Sequence, residues 1–395
     1  MRHTRTLLAV AAATSLALTA CAPGGGGDDA ADEDGPIKVG IIADLTGATG
    51  DVGTPYAAGE EAYVKWLNEN GGIDGREIDA TVTDYAYDVP TAERVYKEYV
   101  NDGVVAVMGW GTGDSEALKS RVSADELPFM SASYAEPLTD PEEAPYNFVV
   151  APTYSDQARV GLNWIAEDGK SSEVALFHND SPFGLAPVAD AQEWAADLDL
   201  NVEPYAMPAG STNYTGLLSQ AKKQGAKYIM IQNVSSPAAL VAKDIKAQGL
   251  DMQIVCLNWC ADELFIDTAG AEAAEGHVLV QPFAPVSAEQ PGHDEVNAYL
   301  EENGSSLEEE GLHFAQGWYT MHAMAEGIRA AVEEGDLSGA GIKEALETMG
   351  AIDTGGVVGA GEIEFSADSH RGSTGTGIYQ VEGGEMAPVE LGATP

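Results

Sequence analysis

The sequence predicts an α/β fold made of two doubly wound parallel-sheet lobes joined by a hinge. Three observations predict this class. Short apolar runs alternate with amphipathic stretches, the alternation occurs in two separate series, and about 360 residues follow an N-terminal leader, which is more than one ordinary core contains. Strands connected through helices lie parallel, with helices covering both faces of the sheet. Each series therefore predicts one lobe.

The N-terminus predicts a lipoprotein leader followed by a tether. Basic residues precede an apolar run too short to cross a bilayer, which indicates a signal peptide over residues 1–20. Small residues then lead to Cys21, an order that resembles a bacterial lipobox and implies a lipid on the Cys21 sulfur. The alternative is an ordinary signal peptide with a chance cysteine. Residues 21–36, rich in glycine and acid, are expected to form a flexible tether at the outer face of the cell membrane or in the periplasm.

The charge balance excludes several classes of partner. The chain has 64 Asp and Glu residues against 19 Lys and Arg, a net charge of −45 at pH 7, and loss of Arg2 and Arg5 with the leader would bring it to −47. Nucleic acid requires a basic surface, so no nucleic-acid partner is expected. Anionic lipid would also repel the body, so membrane contact is expected only through the N-terminal lipid. We interpret the acidity as a heavily solvated surface.

The first series predicts lobe 1. Its strands are predicted at Ile37–Ile42, Glu77–Thr83, Val104–Met108 and Leu127–Met130. Proline is favoured at the first position of a helix, so a helix is predicted to start at Thr54-Pro55, and glycines predict its end at Gly71-Gly72. Apolar residues at helical spacing predict another helix over Thr91–Asn101.

The second series and the tail predict the rest of the body. Strands are predicted at Glu173–Phe177, Val202–Ala206, Lys227–Ile231 and Gln253–Leu257, with helices at Leu185–Leu198, Tyr214–Gln224 and Pro237–Gln248. The tail after Ala284 predicts helices over Leu312–Glu333 and Ile342–Met349 and strands over Gly361–Phe365 and Thr376–Val381. Both lobes are expected to share this tail. Lobe 1 is predicted to comprise residues 37–152 and 284–360, and lobe 2 residues 153–283 and 361–392.

A glycine-rich loop, residues 109–113, follows the third strand of the first series. A strand, glycines and a helix start can hold a phosphate, but Asp114 stands where the last glycine of a dinucleotide loop belongs. A carboxylate there already uses the positive end of the helix and repels a pyrophosphate. No lysine follows in the position that a P-loop requires. A nucleotide is therefore not expected, although the loop can hold another ligand.

Several segments are predicted to meet where strands end, because open α/β sheets bind ligands beyond the carboxyl ends of their strands. In the first lobe these are the glycine-rich loop and residues 132–134. The second lobe offers residues 178–184, residues 232–235 and the pair at 258–259. Two lobes that present these ends to each other form a ligand cleft that can close by a hinge motion.

Cysteine and histidine patterns favour neither a metal site nor an enzyme. An exported pair such as Cys256 and Cys260 can oxidise, and across a turn the two can come within disulfide range, so a possible disulfide stays open. Two thiols without a nearby histidine make a weak metal site, and no cofactor is expected. No G-x-S-x-G or H-E-x-x-H motif occurs, and His178 lacks spaced catalytic partners, so no catalytic residue is predicted.

From Ile37 to about Val381 the chain resembles the type I solute-binding proteins of ABC importers, in the leucine/isoleucine/valine-binding branch. The segments that carry the resemblance are IKVGIIADLTGATGDVGTPYAAGEEA, LNENGGIDGREIDATVTDY, PFMSASYAEPLTD, FHNDSPFG and AAEG. The resemblance implies a monomer that binds a small solute between two lobes and delivers it to an ABC transporter permease, without chemistry. The alternative is a sensor that reports the same binding event to a separate receptor.

The resemblance also implies the ligand-binding positions. They are Trp110, Gly111, Gly113, Asp114, Ala132, Ser133, Tyr134, Phe183, Val234, Asn258 and Trp259. Several family contacts are replaced here: a serine position falls on Gly113, a threonine position on Tyr134 and two aromatic positions on Phe183 and Val234. The acid that pairs with a ligand ammonium falls on Asn258. The positions of the family's first-lobe disulfide fall on Tyr87 and Thr112, so that bridge is missing.

The change at Asn258 leaves two interpretations open. A buried ammonium without a carboxylate partner is costly, so either Asp114 or Asp262 supplies the charge, or the solute carries no ammonium. Amides, ureas and aromatic or short-chain carboxylates then become candidates. Aromatic side chains at 110, 134, 183 and 259 are expected to line the pocket, unless the two tryptophans belong to the lobe core. For Asp114 the alternative is a plain helix N-cap.

Overall fold

The computed structural model describes residues 35–359 and 362–395. The predicted signal peptide, the lipid site at Cys21 and nearly all of the predicted tether lie outside the described residues. Within the described part of the chain, no helix combines the length and the apolarity that crossing a membrane requires.

The first part of the described chain forms a five-stranded parallel sheet. Its elements are β1 (Ile37–Ala43), α1 (Gly50–Glu69), β2 (Ile78–Asp84), α2 (Val89–Asp102), β3 (Ala106–Gly109), α3 (Thr112–Ala124), β4 (Phe129–Ser131) and β5 (Asn147–Phe148). The strands lie in the order β2-β1-β3-β4-β5, and each neighbouring pair is parallel. The four predicted strands are confirmed with small shifts at their ends.

The middle of the chain repeats the alternation. Its elements are α4 (Tyr154–Asp168), β6 (Glu173–Asn179), α5 (Pro182–Leu185), α6 (Val188–Asp197), β7 (Asn201–Met207), α7 (Thr215–Gln224), β8 (Tyr228–Gln232), α8 (Ser235–Gln248), β9 (Gln253–Cys256), α9 (Glu263–Ala269), α10 (Ala271–Ala274) and β10 (Val278–Gln281). A single turn of 3₁₀ helix, Asn258–Cys260, follows β9. These strands are mutually parallel in the order β10-β9-β8-β6-β7.

The tail adds helices and completes the second sheet. Its elements are α11 (Pro291–Glu302), α12 (Leu307–Glu310), α13 (Leu312–Glu334), α14 (Gly339–Thr348), β11 (Ile352–Asp353), β12 (Glu362–Ile363), β13 (Thr376–Glu382) and β14 (Glu385–Ala393). β13 pairs antiparallel with β10, and β14 pairs antiparallel with β13. The predicted α/β class with two mainly parallel sheets is confirmed.

The first helix begins earlier than predicted. α1 starts at Gly50 rather than at Thr54, and Pro55 lies inside it. The Asp44 carboxylate accepts hydrogen bonds from the backbone N–H and the hydroxyl of Thr49, at 2.9 and 2.7 Å, which fixes the turn before the helix. A proline removes one backbone hydrogen bond, but α1 continues through Pro55 and packs on α13.

The sequence patterns do not predict α4, β10, α11 or β14. α4 is buried around much of its circumference, so its apolar residues show no single helical face. β10 is a four-residue buried run, too short to show a period. Burial accounts for α4 and β10, whereas β14 is largely exposed and forms by pairing with β13.

α1 and α13 pack against each other at two glycines. A Cβ on Gly59 would overlap the carbonyl oxygen of Phe314. A Cβ on Gly317 would overlap the carbonyl oxygen of Tyr56. The backbones can therefore approach closely, and the Tyr56 hydroxyl donates to Thr320 Oγ1 at 2.7 Å across the contact. This packing holds α13 beside the first-sheet core, whereas β13 of the same tail joins the second sheet. The lobe boundaries given above stay a prediction.

Candidate functional site

A cavity lies where strand ends of both sheets meet. It encloses about 240 Å³ of space between protein atoms, part of which is open to solvent. Its lining residues are Thr49, Tyr87, Trp110, Gly111, Thr112, Ala132, Tyr154, Phe183, Val234 and Trp259. Apart from Tyr154 at the start of α4, these residues follow β1, β2, β3, β4, β6, β8 and β9 in the chain. The position is the one at which open α/β sheets bind ligands.

The structure brings together about half of the predicted ligand-binding positions. Those that line the cavity are Trp110, Gly111, Ala132, Phe183, Val234 and Trp259. Those that do not are Gly113, Asp114, Ser133, Tyr134 and Asn258. All but Gly113 of this second group are buried behind the lining. Whether each position contacts a solute stays a prediction.

Sequence reasoning missed Thr49 and Tyr154, and it noted Tyr87 and Thr112 only as replaced disulfide positions. Ligands bind beyond the carboxyl ends of the strands in open α/β sheets, and this rule could have indicated Thr49. The polar loop after β1 lies at the same edge of the first sheet as the glycine-rich loop after β3. The start of α4 at Tyr154 could have been found from Thr153 and Asp156, which form a capping box at its N-terminus. That the start of α4 reaches the cavity is decided by the tertiary structure.

The Trp259 indole is buried among other rings, with 4% of its surface exposed. Its ring centroid lies 5.0 Å from that of Trp110, 5.6 Å from that of Tyr134 and 5.8 Å from that of Tyr56. The His313 ring stacks on it at 5.5 Å. Rings from α1, from the loops after β3 and β4, and from α13 thus surround the indole of Trp259, which follows β9.

Two hydrogen bonds fix the tryptophans of the cavity. Trp259 Nε1 donates to the Tyr154 hydroxyl at 2.9 Å. Trp110 Nε1 donates to Thr49 Oγ1 at 2.8 Å, and the Thr49 hydroxyl itself donates to Asp44. Both indole N–H groups are therefore satisfied by neutral hydroxyls, and the two rings are held in defined positions.

Asp114 lies behind the glycine-rich loop, outside the lining. Its Oδ2 accepts from the Gly111 backbone N–H at 3.2 Å, and its Oδ1 accepts from the Tyr85 hydroxyl at 2.8 Å. Gly111 is the N-cap of α3, so Asp114 acts three residues inside the helix rather than as the cap itself. Burial raises the pKa of its carboxyl to about 7, although the Tyr85 hydrogen bond opposes that rise. A Cβ at Gly111 would overlap this carboxylate, which accounts for the glycine.

Asn258 points into the protein rather than into the cavity. Its Oδ1 accepts from Gln316 Nε2 of α13 at 3.0 Å, and its backbone N–H donates to Gln157 Oε1 at 3.1 Å. Gln281 Nε2 donates to its carbonyl at 3.0 Å. Its Nδ2 finds no hydrogen-bond partner among the described residues. The side chain is thus part of a buried amide network.

Asp262 already has three partners. Its Oδ1 accepts a hydrogen bond from the Phe265 backbone N–H at 2.6 Å. Its Oδ2 accepts a hydrogen bond from the Ser235 hydroxyl and lies 2.7 Å from His313 Nε2. Burial by itself lowers the pKa of His313, but the hydrogen bond and charge of Asp262 outweigh burial and raise it. Gln316 Oε1 contacts the other ring nitrogen at 2.7 Å. Asp262 therefore pairs with α13 and not with the cavity.

The possible disulfide between Cys256 and Cys260 is not formed in the structure. Both residues carry free, buried thiols. The short 3₁₀ turn directs the Cys260 thiol toward the carbonyl of Ile231, at 3.6 Å. Burial raises the pKa of both thiols. No group of three or more His, Cys, Asp or Glu residues that could hold a metal occurs within the described ranges.

Known proteins are similar to this chain over most of its length. A family model described as periplasmic binding protein matches residues 36–385. The Leu/Ile/Val-binding protein of Escherichia coli K12 is 24% identical over 307 residues, covering 76% of this chain and 80% of that protein. A Pseudomonas aeruginosa protein, named leucine-, isoleucine-, valine-, threonine- and alanine-binding, is 25% identical over 253 residues, covering 63% and 67%.

A solved structure is also similar to this chain. It is a branched chain amino acid ABC transporter protein from Thermus thermophilus with bound valine. It is 29% identical, has a TM-score of 0.87, and the match covers 91% of this chain and 97% of that one. The sheets, the cavity between their strand ends and the family match lead to one conclusion. The chain belongs to the type I periplasmic binding proteins, in the family of the Leu/Ile/Val-binding proteins.

Proposed function

We propose that this protein is the extracytoplasmic solute-binding lipoprotein of an ABC importer. It binds a small solute, a branched-chain amino acid or a related amide or carboxylate, and delivers it to a membrane permease. The observation that carries the proposal is the cavity lined by strand ends of both sheets. The branched-chain amino acid binding proteins among its relatives support it. The lipid at Cys21 would keep the protein near its permease.

Closure of two lobes is the mechanism that we propose for binding. Lobe 1 comprises residues 37–152 and 284–360, and lobe 2 residues 153–283 and 361–392. Contacts across the cavity support a closed arrangement: Asp51 Oδ2 at the start of α1 accepts from the Ser236 backbone N–H of α8 at 3.1 Å. Trp259 packs on Trp110 at the same edge. A solute enclosed there would join both sides and stabilise the closed state.

A thermal-shift screen tests the proposal. The purified protein is heated with leucine, valine, isovaleramide, acetamide, urea and benzoate, each separately. A solute that binds only the folded state raises the melting temperature, by an amount that grows with its concentration, and at least one solute is expected to do so.

A matched pair of variants ties the shift to the cavity. Ala132→Leu fills the cavity and is expected to abolish the shift, whereas Ala196→Leu, at an exposed position of α6, should leave it intact. No shift with any solute, or an equal shift in the Ala132→Leu variant, would contradict solute binding in this cavity.

A further inference from the structure

The residues that line the cavity carry no formal charge. Gly111 and Thr112 belong to the glycine-rich loop, and Ala132 follows β4. Thr49 follows β1, Val234 follows β8, and the other five residues are aromatic. The aromatic ones are Tyr87, Trp110, Tyr154, Phe183 and Trp259. Asp, Glu, Lys, Arg and His are all absent from this described lining. The polar groups that it offers are neutral hydroxyls, which donate and accept hydrogen bonds but cannot balance an ion.

Four carboxylates next to the cavity, those of Asp44, Asp51, Asp114 and Asp262, already have partners. Asp44 accepts from the backbone and hydroxyl of Thr49, and Asp51 accepts from the backbone of Ser236. Asp114 is held by Tyr85 and Gly111, and Asp262 by His313, Ser235 and Phe265, as described above. An ammonium in the cavity would have to take one of these carboxylates from its present hydrogen bonds.

A solute carboxylate meets no Lys, Arg or His side chain in the described lining. The start of α3 faces the cavity through Gly111 and Thr112, and a helix N-terminus can hold an anion. The N–H of Gly111 is occupied by Asp114, and that carboxylate lies directly behind the loop. When Asp114 is ionised, its charge repels a second anion at this place. Burying an ion without a partner is far more costly than burying a hydrogen-bonded neutral group.

The cavity is also small. The space between its walls amounts to about 240 Å³ even when the part open to solvent is included. The Trp259 indole is the reason, because it fills the space enclosed by Tyr56, Trp110, Tyr134 and His313. A smaller residue at position 259 would open that space to the cavity.

We propose that the cleft selects a small polar solute without formal charge, such as a short-chain carboxamide, and that Trp259 sets the upper limit on its size. The proposal rests on the proposed function, since it names the class of solute that the same cleft takes. A carboxamide can donate its N–H to the Thr49 oxygen, whose own proton goes to Asp44. Its C=O can accept from the Tyr154 hydroxyl in place of the Ala132 carbonyl, which lies 3.5 Å from that hydroxyl. Its alkyl group packs against the aromatic rings.

Isothermal titration calorimetry on the purified protein tests the charge selection with four compounds of one carbon skeleton. They are isovaleramide (neutral), isovalerate (anion), valine (zwitterion) and valinamide (cation), and acetamide, acetate and glycine form a shorter series. In at least one series the neutral amide is expected to bind at least tenfold more tightly than its charged analogues. Equal or tighter binding of valine or isovalerate would overturn the inference and leave solute binding intact. Absence of binding by every compound would overturn both.

Variants of Trp259 test the size limit with phenylacetamide as the probe. The affinity of Trp259→Ala for phenylacetamide is expected to exceed that of wild type, or the detection limit if wild type shows no binding, by at least tenfold, and that of Trp259→Phe to lie between the two. Trp194→Ala, a change on α6 away from the cavity, should behave as wild type. Far-ultraviolet circular dichroism checks that each variant is folded, and the conservative Trp259→Phe keeps the test valid if the alanine variant is not. Equal binding of phenylacetamide by wild type and both Trp259 variants would overturn the size limit.

Discussion

At the scale of single residues, Asp114 shows how burial changes the chemistry of a carboxylate. It is 1% exposed, and the Tyr85 hydroxyl and the Gly111 N–H are its hydrogen-bond donors in the described chain. Burial raises the pKa of its carboxyl to about 7, above the ~3.9 of an unfolded chain. The folded protein therefore binds this proton more tightly than the unfolded chain does.

The free energy of unfolding should depend on pH through Asp114. A carboxyl whose pKa is raised on folding adds stability that is complete below about pH 4 and is lost as the pH rises to about 7. Asp114→Asn removes this dependence. As the pH rises over this interval, the free energy of unfolding of the variant should increase relative to that of wild type by up to about 1.4 kcal/mol per pH unit.

Urea denaturation at pH 4, 5, 6, 7 and 8 measures the Asp114 effect. Asp197→Asn, at an exposed position of α6, is the control and should follow the wild-type profile. Parallel profiles for wild type and Asp114→Asn would show that Asp114 titrates normally in the folded protein.

At the scale of secondary-structure elements, the close contact of α1 with α13 positions one side of the site. α1 carries Tyr56, and α13 carries His313 and Gln316, so both helices bring groups to the loop after β9. Gly59 and Gly317 allow this approach, because neither helix has room for a Cβ at the contact. The packing of two helices therefore decides what surrounds Trp259.

Gly317→Ala should lower the free energy of unfolding. The added Cβ would overlap a backbone carbonyl of α1, which cannot move away as a flexible side chain can, so a loss of about 1–3 kcal/mol is expected. Gly216→Ala is the matched control: this glycine lies in α7 with open space around the new Cβ. Alanine also favours a helix, so the control should be neutral or more stable by up to ~1 kcal/mol. Equal effects of the two substitutions in chemical denaturation would contradict the close contact.

At the scale of the whole molecule, charge is the dominant property. The net charge of −45 at pH 7 creates repulsion that the ion pairs of the described chain, most of them partly exposed, offset only weakly. Added salt shortens the range of this repulsion from about 30 Å at 0.01 M to about 3 Å at 1 M. Salt should therefore stabilise the folded protein.

The melting temperature should rise between 0.01 and 1 M sodium chloride at pH 7. Each 1 kcal/mol of repulsion removed corresponds to about 2–4 °C in a domain of moderate size. The same titration near pH 4.1, where the chain carries little net charge, is the control and should show a smaller rise. An equal rise at both pH values would mean that salt acts through something other than charge repulsion.

The sequence by itself determined the α/β class, the two sheets and the strand ends that meet at the cavity. These features depend on local patterns: apolar runs set the strands, and the loops that follow parallel strands must share one edge. Trp110, Gly111, Ala132, Phe183, Val234 and Trp259 could be placed at the cavity in this way and by resemblance to the family. Helix starts were less certain, because the turn at Asp44 overrides the signal of Pro55.

Only the tertiary structure decided which polar groups face the cavity and which face inward. Asn258 turns to Gln316, and Asp262 to His313, through partners more than fifty positions away in the chain. The free thiols of Cys256 and Cys260 and the rings around Trp259 depend on contacts of the same kind. A local pattern shows that a side chain is polar or aromatic. It does not show which distant group will satisfy that side chain, and this choice leaves the lining of the cavity without charge.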